Sequence, residues 1–435
     1  MYIDNILFAI ILIAGIGFFA KNVKKLNRSI NLGQDVDRND NPSARWKNMA
    51  MIALGQSKMV KRPIAGLLHI IVYVGFVVIN IEVLEIIIDG LFGTHRLFSG
   101  FLGGFYGFLI GSFEILAVLV LFAVIVFWTR RNIIKLKRFA SSDLKGAPKR
   151  DADVILYFEI VLMSLFLIMN ATDLHFQSAN SGNIISQFIY PLFAPLDLVQ
   201  IEIIERVAWW FHITGILIFL NYLYYSKHLH ILLAFPNTYF ADLNPKGQFD
   251  NLESVTKEVK LMMDPNADPF AAEPVDENAV PSKFGASDVQ DLNWVQLLNA
   301  YTCTECGRCT SACPANQTGK KLSPRKIMMD TRDRMEEVGK NIGANNGVFI
   351  PDNKSLLNDY ISTEELWACT SCNACVEECP VNISPLSIIM DMRRYLVMEQ
   401  SAAPQSLNAM MTNIENNGAP WQYNQQDRLN WKNEQ

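Results

Sequence analysis

The stretch CTECGRCTSACP, residues 303–314, places four cysteines in a C-x2-C-x2-C-x3-C-P run. The stretch CTSCNACVEECP, residues 369–380, repeats that run. Runs of this kind are typical of bacterial ferredoxins, in which cysteine thiolates bind [4Fe–4S] clusters. The two runs together contain all eight cysteines of the chain, so none is left over for a disulfide framework. The spacing therefore predicts two [4Fe–4S] clusters.

The same run predicts which cysteines share a cluster. Its first three cysteines lie on one tight loop, whereas the fourth follows one helical turn later and ligates the other cluster. Cluster one is expected on Cys303, Cys306, Cys309 and Cys379. Cluster two is expected on Cys369, Cys372, Cys375 and Cys313. Zinc is the alternative metal for four thiolates, but zinc sites usually combine two separated C-x2-C pairs, so the spacing favours clusters.

The amino-terminal half predicts a membrane domain. Five stretches are apolar and long enough to cross a bilayer core, which needs about 20 helical residues. They run approximately from Ile3 to Ala20, Ile64 to Ile88, Phe101 to Trp128, Val154 to Ala171 and Val199 to Tyr225. The first stretch lacks a basic start and is followed by lysines, so we interpret it as a retained span rather than a signal peptide.

The charge of the loops predicts the orientation in the membrane. Residues 21–63 carry ten Lys and Arg residues and residues 130–153 carry eight, whereas residues 172–198 carry none. Because basic loops stay on the cytoplasmic side, the amino terminus is expected outside a bacterial inner membrane and the cysteine-bearing half in the cytoplasm. No further basic stripe exists, which argues against nucleic acid as a partner.

Histidines near the predicted cytoplasmic ends of spans two and five indicate a haem b. Such a haem takes two axial imidazoles from facing helices at one depth. His69 lies in span two, and His228 and His230 follow span five. We expect His69 and His230 to be the ligands of an inner haem, since His228 would face away from His230 on one continuous helix. The alternative is that these are interfacial histidines that bond to backbone or lipid headgroups.

An outer haem is a second possibility. On one continuous helix, His212 and His230 are five turns apart and face the same way, at a distance of about 27 Å. His212 is therefore the expected ligand on the outer side, with His95 or His175 as a partner from the membrane surface. One or two haems remain open at this point.

Acidic residues within the spans are candidates for proton transfer, because an acid in a bilayer core is costly. Glu114 is the deepest of them, about twelve residues into span three. It is expected to face a cavity and to carry protons to or from a quinone.

The predicted fold is all-α, with a five-helix transmembrane cytochrome b-like bundle and a cytoplasmic α-helical ferredoxin domain. The predicted divisions are a haem b membrane domain (1–236), a linker (237–287), a two-cluster domain (288–399) and a polar tail for partner docking (400–435).

This order of parts resembles the heterodisulfide-reductase-like membrane oxidoreductases, in which a nitrate reductase gamma-type cytochrome b precedes an α-helical ferredoxin domain. The stretch YSKHLH at 225–230, followed by Pro236 and Asn237, is similar to the end of their membrane domain. That cytochrome has two histidines on span two, whereas this chain has only His69. The resemblance implies menaquinone as an acceptor and electron-transferring flavoprotein as one donor.

Longer members of that group continue into a cysteine-rich CCG domain. No cysteine follows Cys379, and the stretch NNGAPW at 416–421 is similar to the linker that precedes the CCG domain. We therefore expect a CCG-type subunit as a separate partner. The function indicated is a membrane electron-transfer subunit of a quinone-linked oxidoreductase. The alternative is a membrane-anchored iron–sulfur redox sensor without turnover.

Overall fold

The computed structural model describes residues 3–179, 181–266 and 283–433, and within these ranges the chain is helical and forms no strand. The predicted linker falls partly on residues 267–282, which lie outside the described residues. The α-helices of the described part are, in chain order, α1 (Ile3–Ile30), α2 (Pro42–Met49), α3 (Pro63–Phe92), α4 (Leu97–Leu102), α5 (Gly104–Asn132), α6 (Ala147–Thr172), α7 (Leu174–Ala179), α8 (Ser186–Ile189), α9 (Leu198–Tyr222), α10 (His230–Tyr239), α11 (Glu253–Met263), α12 (Trp294–Thr302), α13 (Arg308–Ala312), α14 (Pro314–Gln317), α15 (Pro324–Ala344), α16 (Leu356–Asp359), α17 (Thr363–Ala368), α18 (Ala374–Glu378), α19 (Pro385–Met398) and α20 (Gln405–Asn417).

Five of these helices are long and apolar enough to cross a membrane, which confirms the predicted number of spans. They are α1, α3, α5, α6 and α9, the last extended by one 3-10 turn to Tyr225. Large apolar side chains such as Ile13, Phe122 and Phe211 stay exposed on the outside of this bundle. Apolar surface of that extent is expected where lipid replaces water.

The apolar core of the cysteine domain, residues 283–399, is built mainly from α12, α15 and α19, and it also includes Leu26 and Ile30 from the end of α1. The two longer helices that follow the cysteine runs start as the sequence predicts. Ser323 and Ser384 each cap a helix through the side-chain oxygen, and proline occupies the first helical position after each of them.

The cysteine domain packs directly against one end of the membrane bundle. Helix α1 extends beyond its apolar part, and Arg28 near its end donates a hydrogen bond of 2.6 Å to the Gly339 carbonyl oxygen in α15. Gln34, just after α1, exchanges backbone hydrogen bonds with Leu292 and Trp294. The loops rich in Lys and Arg lie at this end and contact the same domain.

Span five ends at Tyr225, as predicted, but its helix does not continue to His230. Helix α9 stops at Tyr222, and after a 3-10 turn Ser226 takes an extended conformation with φ −124° and ψ 159°. A new helix, α10, begins at His230. The expectation that His212 and His230 share one continuous helix is therefore wrong, and so are the distance and the facing directions derived from it. The predicted domain boundary at residue 236 also falls inside α10.

Candidate functional site

The two cysteine loops have the same backbone. In the first loop Glu305 and Gly307 have φ values of 54° and 72°, and the matching residues of the second loop, Ser371 and Asn373, have 55° and 58°. Left-handed residues at these positions turn the chain tightly enough for three thiols to point inwards. At Gly307 an added Cβ atom would lie 2.5 Å from Nη1 of Arg325, so that the guanidinium would have to shift.

Cysteines of both runs meet at a small cavity. Its wall contains the first three cysteines of the first run together with the last cysteine of the second run: Cys303, Cys306, Cys309 and Cys379. Cys375 also reaches this wall, as do Arg308 and Arg325. The helices that carry the later cysteines, α13 and α18, pack against each other. The cysteines expected for cluster one are thus brought together.

The pKa values of the thiols reflect the same grouping of cysteines from the two runs. Burial raises the pKa of the Cys379 thiol to about 11, and Cys306 of the other run adds to that shift. Burial also raises the pKa of Cys375 to about 12, with further contributions from Cys369 and Cys313. Thiols of this kind are not reactive nucleophiles, and a bound metal is what deprotonates them.

The positions of the cysteine side chains can be compared with those of a zinc site, which is the alternative to a cluster. Among the described residues, no three His, Cys, Asp or Glu side chains converge closely enough to hold one metal ion. A zinc ion draws all its sulfur ligands to about 2.3 Å from a single centre. The cavity wall gathers five cysteines of the two runs, namely Cys303, Cys306, Cys309, Cys375 and Cys379.

The two cysteine groups differ in exposure. Cys303, Cys313, Cys375 and Cys379 are buried, whereas Cys372 of the second loop is exposed. The first loop lies against the membrane domain, where Arg308 donates hydrogen bonds to the carbonyl oxygens of Lys58 and Met59. One cysteine group therefore borders the bundle, and the other reaches the protein surface.

Three histidines meet where the bundle contacts the cysteine domain. The ring centroids of His69 and His230 are 6.5 Å apart, and those of His228 and His230 are 5.5 Å apart. Two imidazoles that bind opposite sides of one metal, each through a bond of about 2 Å, place their ring centroids about 6 Å apart. The separation of His69 and His230 is close to that value.

The polar atoms of this histidine cluster fit a haem. Nδ1 of His230 donates a hydrogen bond of 2.9 Å to the Lys227 carbonyl oxygen, which leaves Nε2 available for a metal. Nδ1 of His69 and both ring nitrogens of His228 are buried without a partner. Burial lowers the pKa of His230, and the neutral imidazole is the form that ligates iron. His228 lies against His230 and Phe219 rather than facing away from them.

Histidines at the other end of the bundle form a pair that does not include His212. The ring of His212 packs 6.1 Å from the ring of Phe166, and none of the described histidine pairs contains it. His95 and His175 have ring centroids 6.1 Å apart, and Nε2 of His95 lies 3.1 Å from Oδ2 of Asp173. Both rings line a cavity of about 670 Å³. The expected pairing of His212 with one of these histidines is not found.

Glu114 is fully buried, and both of its carboxylate oxygens accept hydrogen bonds. Oε2 accepts hydrogen bonds of 2.7 and 3.1 Å from the backbone N–H groups of Ile185 and Ser186, and Oε1 accepts one of 3.1 Å from Asn170. The carboxylate anchors the start of α8 to the bundle. This arrangement favours a structural role over the predicted proton transfer. Oε2 of Glu82, by contrast, is buried without a partner.

Two contacts near the first loop have functional importance that the sequence analysis missed. Glu305, between the first two cysteines, forms ion pairs with Lys227 and Arg332. Lys61 and Arg62 pair with Glu377 and Glu378, at 2.6 and 3.0 Å, and so join the bundle to α18. Charged residues inside the two cysteine runs were the available signal, but their partners are too distant in sequence to be identified from it.

Comparison with known proteins adds a family and several relatives. Residues 302–383 match the 4Fe–4S dicluster domain. The chain is similar to the probable iron–sulfur-binding oxidoreductase FadF of Bacillus subtilis, at 30% identity over 99% of this chain and 61% of the relative. It is 25% identical to the EtfAB:quinone oxidoreductase of Syntrophomonas wolfei, over 94% of this chain and 57% of that protein.

Other relatives match shorter parts of the chain. One of the subunits of a CoB-CoM heterodisulfide reductase from Methanosarcina acetivorans is 34% identical over 25% of this chain and 53% of its own length. No solved structure matches the chain. The chain spans about three fifths of the length of the Bacillus subtilis and Syntrophomonas wolfei relatives.

Proposed function

Because the chain carries a 4Fe–4S dicluster domain and is homologous to iron–sulfur-binding oxidoreductases, we propose that it is the membrane electron-transfer subunit of a quinone-linked oxidoreductase. Its route runs from a soluble partner through two [4Fe–4S] clusters and a haem b to a quinone. The name of one relative, a quinone oxidoreductase, supports the acceptor, and the heterodisulfide reductase relatives support a complex of several subunits.

The observation that carries this proposal is a direct link between the first cysteine loop and the inner histidines. Glu305 lies between Cys303 and Cys306, and its carboxylate binds Nζ of Lys227. The carbonyl oxygen of the same lysine accepts the hydrogen bond from Nδ1 of His230. Consecutive contacts through Lys227 therefore join a cluster loop to the histidine pair in the membrane domain.

We assign the clusters in the crossed arrangement that the spacing predicts. Cys303, Cys306, Cys309 and Cys379 would hold cluster one, next to the bundle. Cys369, Cys372, Cys375 and Cys313 would hold cluster two, at the surface. The shared cavity and the mutual effects of the thiols across the two runs support this assignment. Backbone N–H groups also donate to sulfur, from Ile383 to Cys379 and from Ser371 to Cys369, which stabilises thiolate ligands.

A soluble partner would exchange electrons with cluster two. Its loop contains the exposed Cys372, and the neighbouring Arg393 stacks 4.9 Å above the ring of Trp367. Both side chains are partly exposed, and arginine and aromatic residues are enriched at protein interfaces. A CCG-type subunit and an electron-transferring flavoprotein are the partners we propose.

Haem b, when bound by His69 and His230, supplies a one-electron centre at the cytoplasmic end of the bundle. The Lys227 carbonyl fixes the tautomer of His230, and Nδ1 of His69 is buried without a hydrogen-bond partner. For a second haem, the geometry favours His95 with His175 over His212.

The orientation follows from the same contacts. The loops with the highest count of Lys and Arg face the cysteine domain, so both belong on the cytoplasmic side of the inner membrane under the positive-inside rule. Reduction of a quinone also needs protons, and Glu82 is a better candidate than Glu114 because one of its oxygens is unpaired.

Histidine variants test the proposed route. Membranes with the wild-type chain should show a dithionite-reduced b-type absorption band, and His69→Ala or His230→Ala should remove the contribution of the inner haem completely. His212→Ala is the matched control, because that histidine is also buried in the bundle, and the band should persist. Full iron–sulfur content without any haem band in the wild type would contradict the cytochrome assignment.

A redox sensor differs from this proposal in turnover. An electron-transfer protein mixed with its reduced donor should reduce quinone continuously, and His69→Ala should stop that reduction while both clusters can still be reduced. A wild-type chain with all its cofactors, a reduced donor and no quinone reduction would favour the sensor.

A further inference from the structure

Arg308 is a buried charge without an opposite charge bound to it. Its side chain is 3% exposed. Its guanidinium donates to the carbonyl oxygens of Lys58 and Met59, and to Sδ of Met59. Within the described residues, the ion pairs nearest to it join Arg62 to Glu378 and Lys61 to Glu377, and Arg308 is in neither. A buried guanidinium with only neutral partners is costly, so a negative group is needed close by.

That negative group is the cysteine site itself. Arg308 lies between Cys306 and Cys309 and lines the cavity that these cysteines share with Cys379. A [4Fe–4S] cluster held by four thiolates has a net negative charge in both of its oxidation states. It therefore supplies what the guanidinium lacks.

Other charges around cluster one add to this field. Lys58 and Arg138 are half-buried and act on Cys379 and Cys306. Glu378 is the facing acid, but it is bound to Arg62 at 3.0 Å. Glu305 is likewise bound, to Lys227 and Arg332. Around cluster one, cationic side chains therefore outnumber the carboxylates that are not already in an ion pair.

The repeated loop offers an internal comparison. The position of Arg308 in the first run is occupied by Ala374 in the second. The cation beside the second run is Arg393, whose guanidinium donates to the carbonyl oxygens of Leu366 and Cys369. Arg393 is only half-buried, so water screens its charge more than that of Arg308.

We infer that Arg308 is the counter-ion of cluster one and raises its reduction potential above that of cluster two, so that electrons move towards the membrane. This inference rests on the proposed function and gives it a direction. In the step, cluster two is oxidised from the 1+ to the 2+ state, and cluster one is reduced from 2+ to 1+. One electron is transferred and no proton is needed. A fixed positive charge favours the reduced state, since that state has one more negative charge. Burial of cluster one lowers its reduction potential, so the increase caused by the nearby cations must be larger than that decrease.

The test is a redox titration of the purified full chain in detergent, followed by electron paramagnetic resonance. Cys303→Ser and Cys369→Ser variants first assign the two signals. Arg308→Gln removes the charge but keeps an amide that can donate to the Lys58 carbonyl oxygen. It should shift cluster one to a more negative potential and leave cluster two unchanged. Arg308→Lys should restore most of the wild-type potential.

Ala374→Arg is the reciprocal variant and should shift cluster two to a more positive potential. If Arg308→Gln prevents assembly of cluster one, the Ala374→Arg variant alone decides the question. An unchanged reduction potential of cluster two in that variant overturns the inference. A wild-type chain in which cluster two has the higher potential also overturns it, although the electron-transfer function would stand. A preparation that assembles no paramagnetic cluster would instead refute the proposed function.

Discussion

The two cysteine loops share a backbone but have different surroundings. Glu305 and Gly307 in the first loop adopt the same left-handed conformation as Ser371 and Asn373 in the second. The first loop is enclosed between the cysteine domain and the membrane bundle, whereas the second exposes Cys372 at the surface. The cysteine spacing thus determines a common fold around each cluster. The neighbouring residues place one cluster site next to the membrane bundle and the other at the protein surface.

The enclosure of the first loop depends on charged residues from distant parts of the chain. Arg325, which is 1% exposed, binds Asp143 at 2.7 Å and donates to the Arg138 carbonyl oxygen. Lys227 reaches Glu305 from the membrane domain. The second loop has the ion pair Lys321–Glu364 near it, at 3.5 Å, but both of these side chains are more than half exposed. Buried ion pairs therefore attach the first loop to the bundle, whereas the ion pairs of the second run with the bundle, Lys61–Glu377 and Arg62–Glu378, are partly exposed.

The largest expected effect follows from the crossed ligation. Cys379→Ser should damage cluster one, which is held mainly by the other loop, and should leave cluster two largely intact. Serine oxygen is a poorer ligand than sulfur for a soft iron–sulfur cube, so the affected cluster should lose an iron or change its potential. Electron paramagnetic resonance on the full chain measures both outcomes.

Cys372→Ser is the matched control, because it lies in the same run. It should affect cluster two only. If Cys379→Ser and Cys372→Ser damage the same cluster, each run closes on its own cube, and the distinction between a membrane-side and a surface-side cluster loses its basis.

A smaller effect is expected at the contact between the domains. Arg325→Ala leaves Asp143 buried without its partner and should cost about 3–5 kcal/mol of stability. Lys321→Ala breaks an exposed pair and should cost about 0–1 kcal/mol. The midpoint of thermal bleaching of the cluster absorbance reports both. The double variant Arg325→Ala/Asp143→Ala should lose less stability than the sum of the losses in the two single variants, since both substitutions affect the same ion pair. Equal midpoints for Arg325→Ala and Lys321→Ala would contradict the buried attachment.

Much of this organisation could be predicted from the sequence, because it depends on local patterns. Cysteine spacing indicated both clusters, and runs of apolar residues indicated the five spans. The serine caps before Pro324 and Pro385 were recognisable for the same reason, since a cap is determined by a few adjacent residues.

The errors come from tertiary contacts. The helix break at Ser226 has no proline or glycine to mark it. It is stabilised by Asp151, which accepts hydrogen bonds from Tyr222 and from the Lys227 backbone. Without that break, His228 was assigned to the wrong side of the helix. The prediction of proton transfer by Glu114 lacks the same information, because nothing near Glu114 in the sequence shows that the backbone N–H groups of Ile185 and Ser186 donate to its carboxylate.

The central claim is that electrons reach the membrane through cluster one. Its most direct test is the rate of haem reduction by a reduced soluble ferredoxin, compared between the wild type and Cys306→Ser by freeze-quench spectroscopy. We predict that Cys306→Ser retains a reducible cluster two but reduces the haem at least about 10-fold more slowly, since loss of a positioned redox group removes the short route. Haem reduction at the wild-type rate in a chain without an intact cluster one would contradict the account.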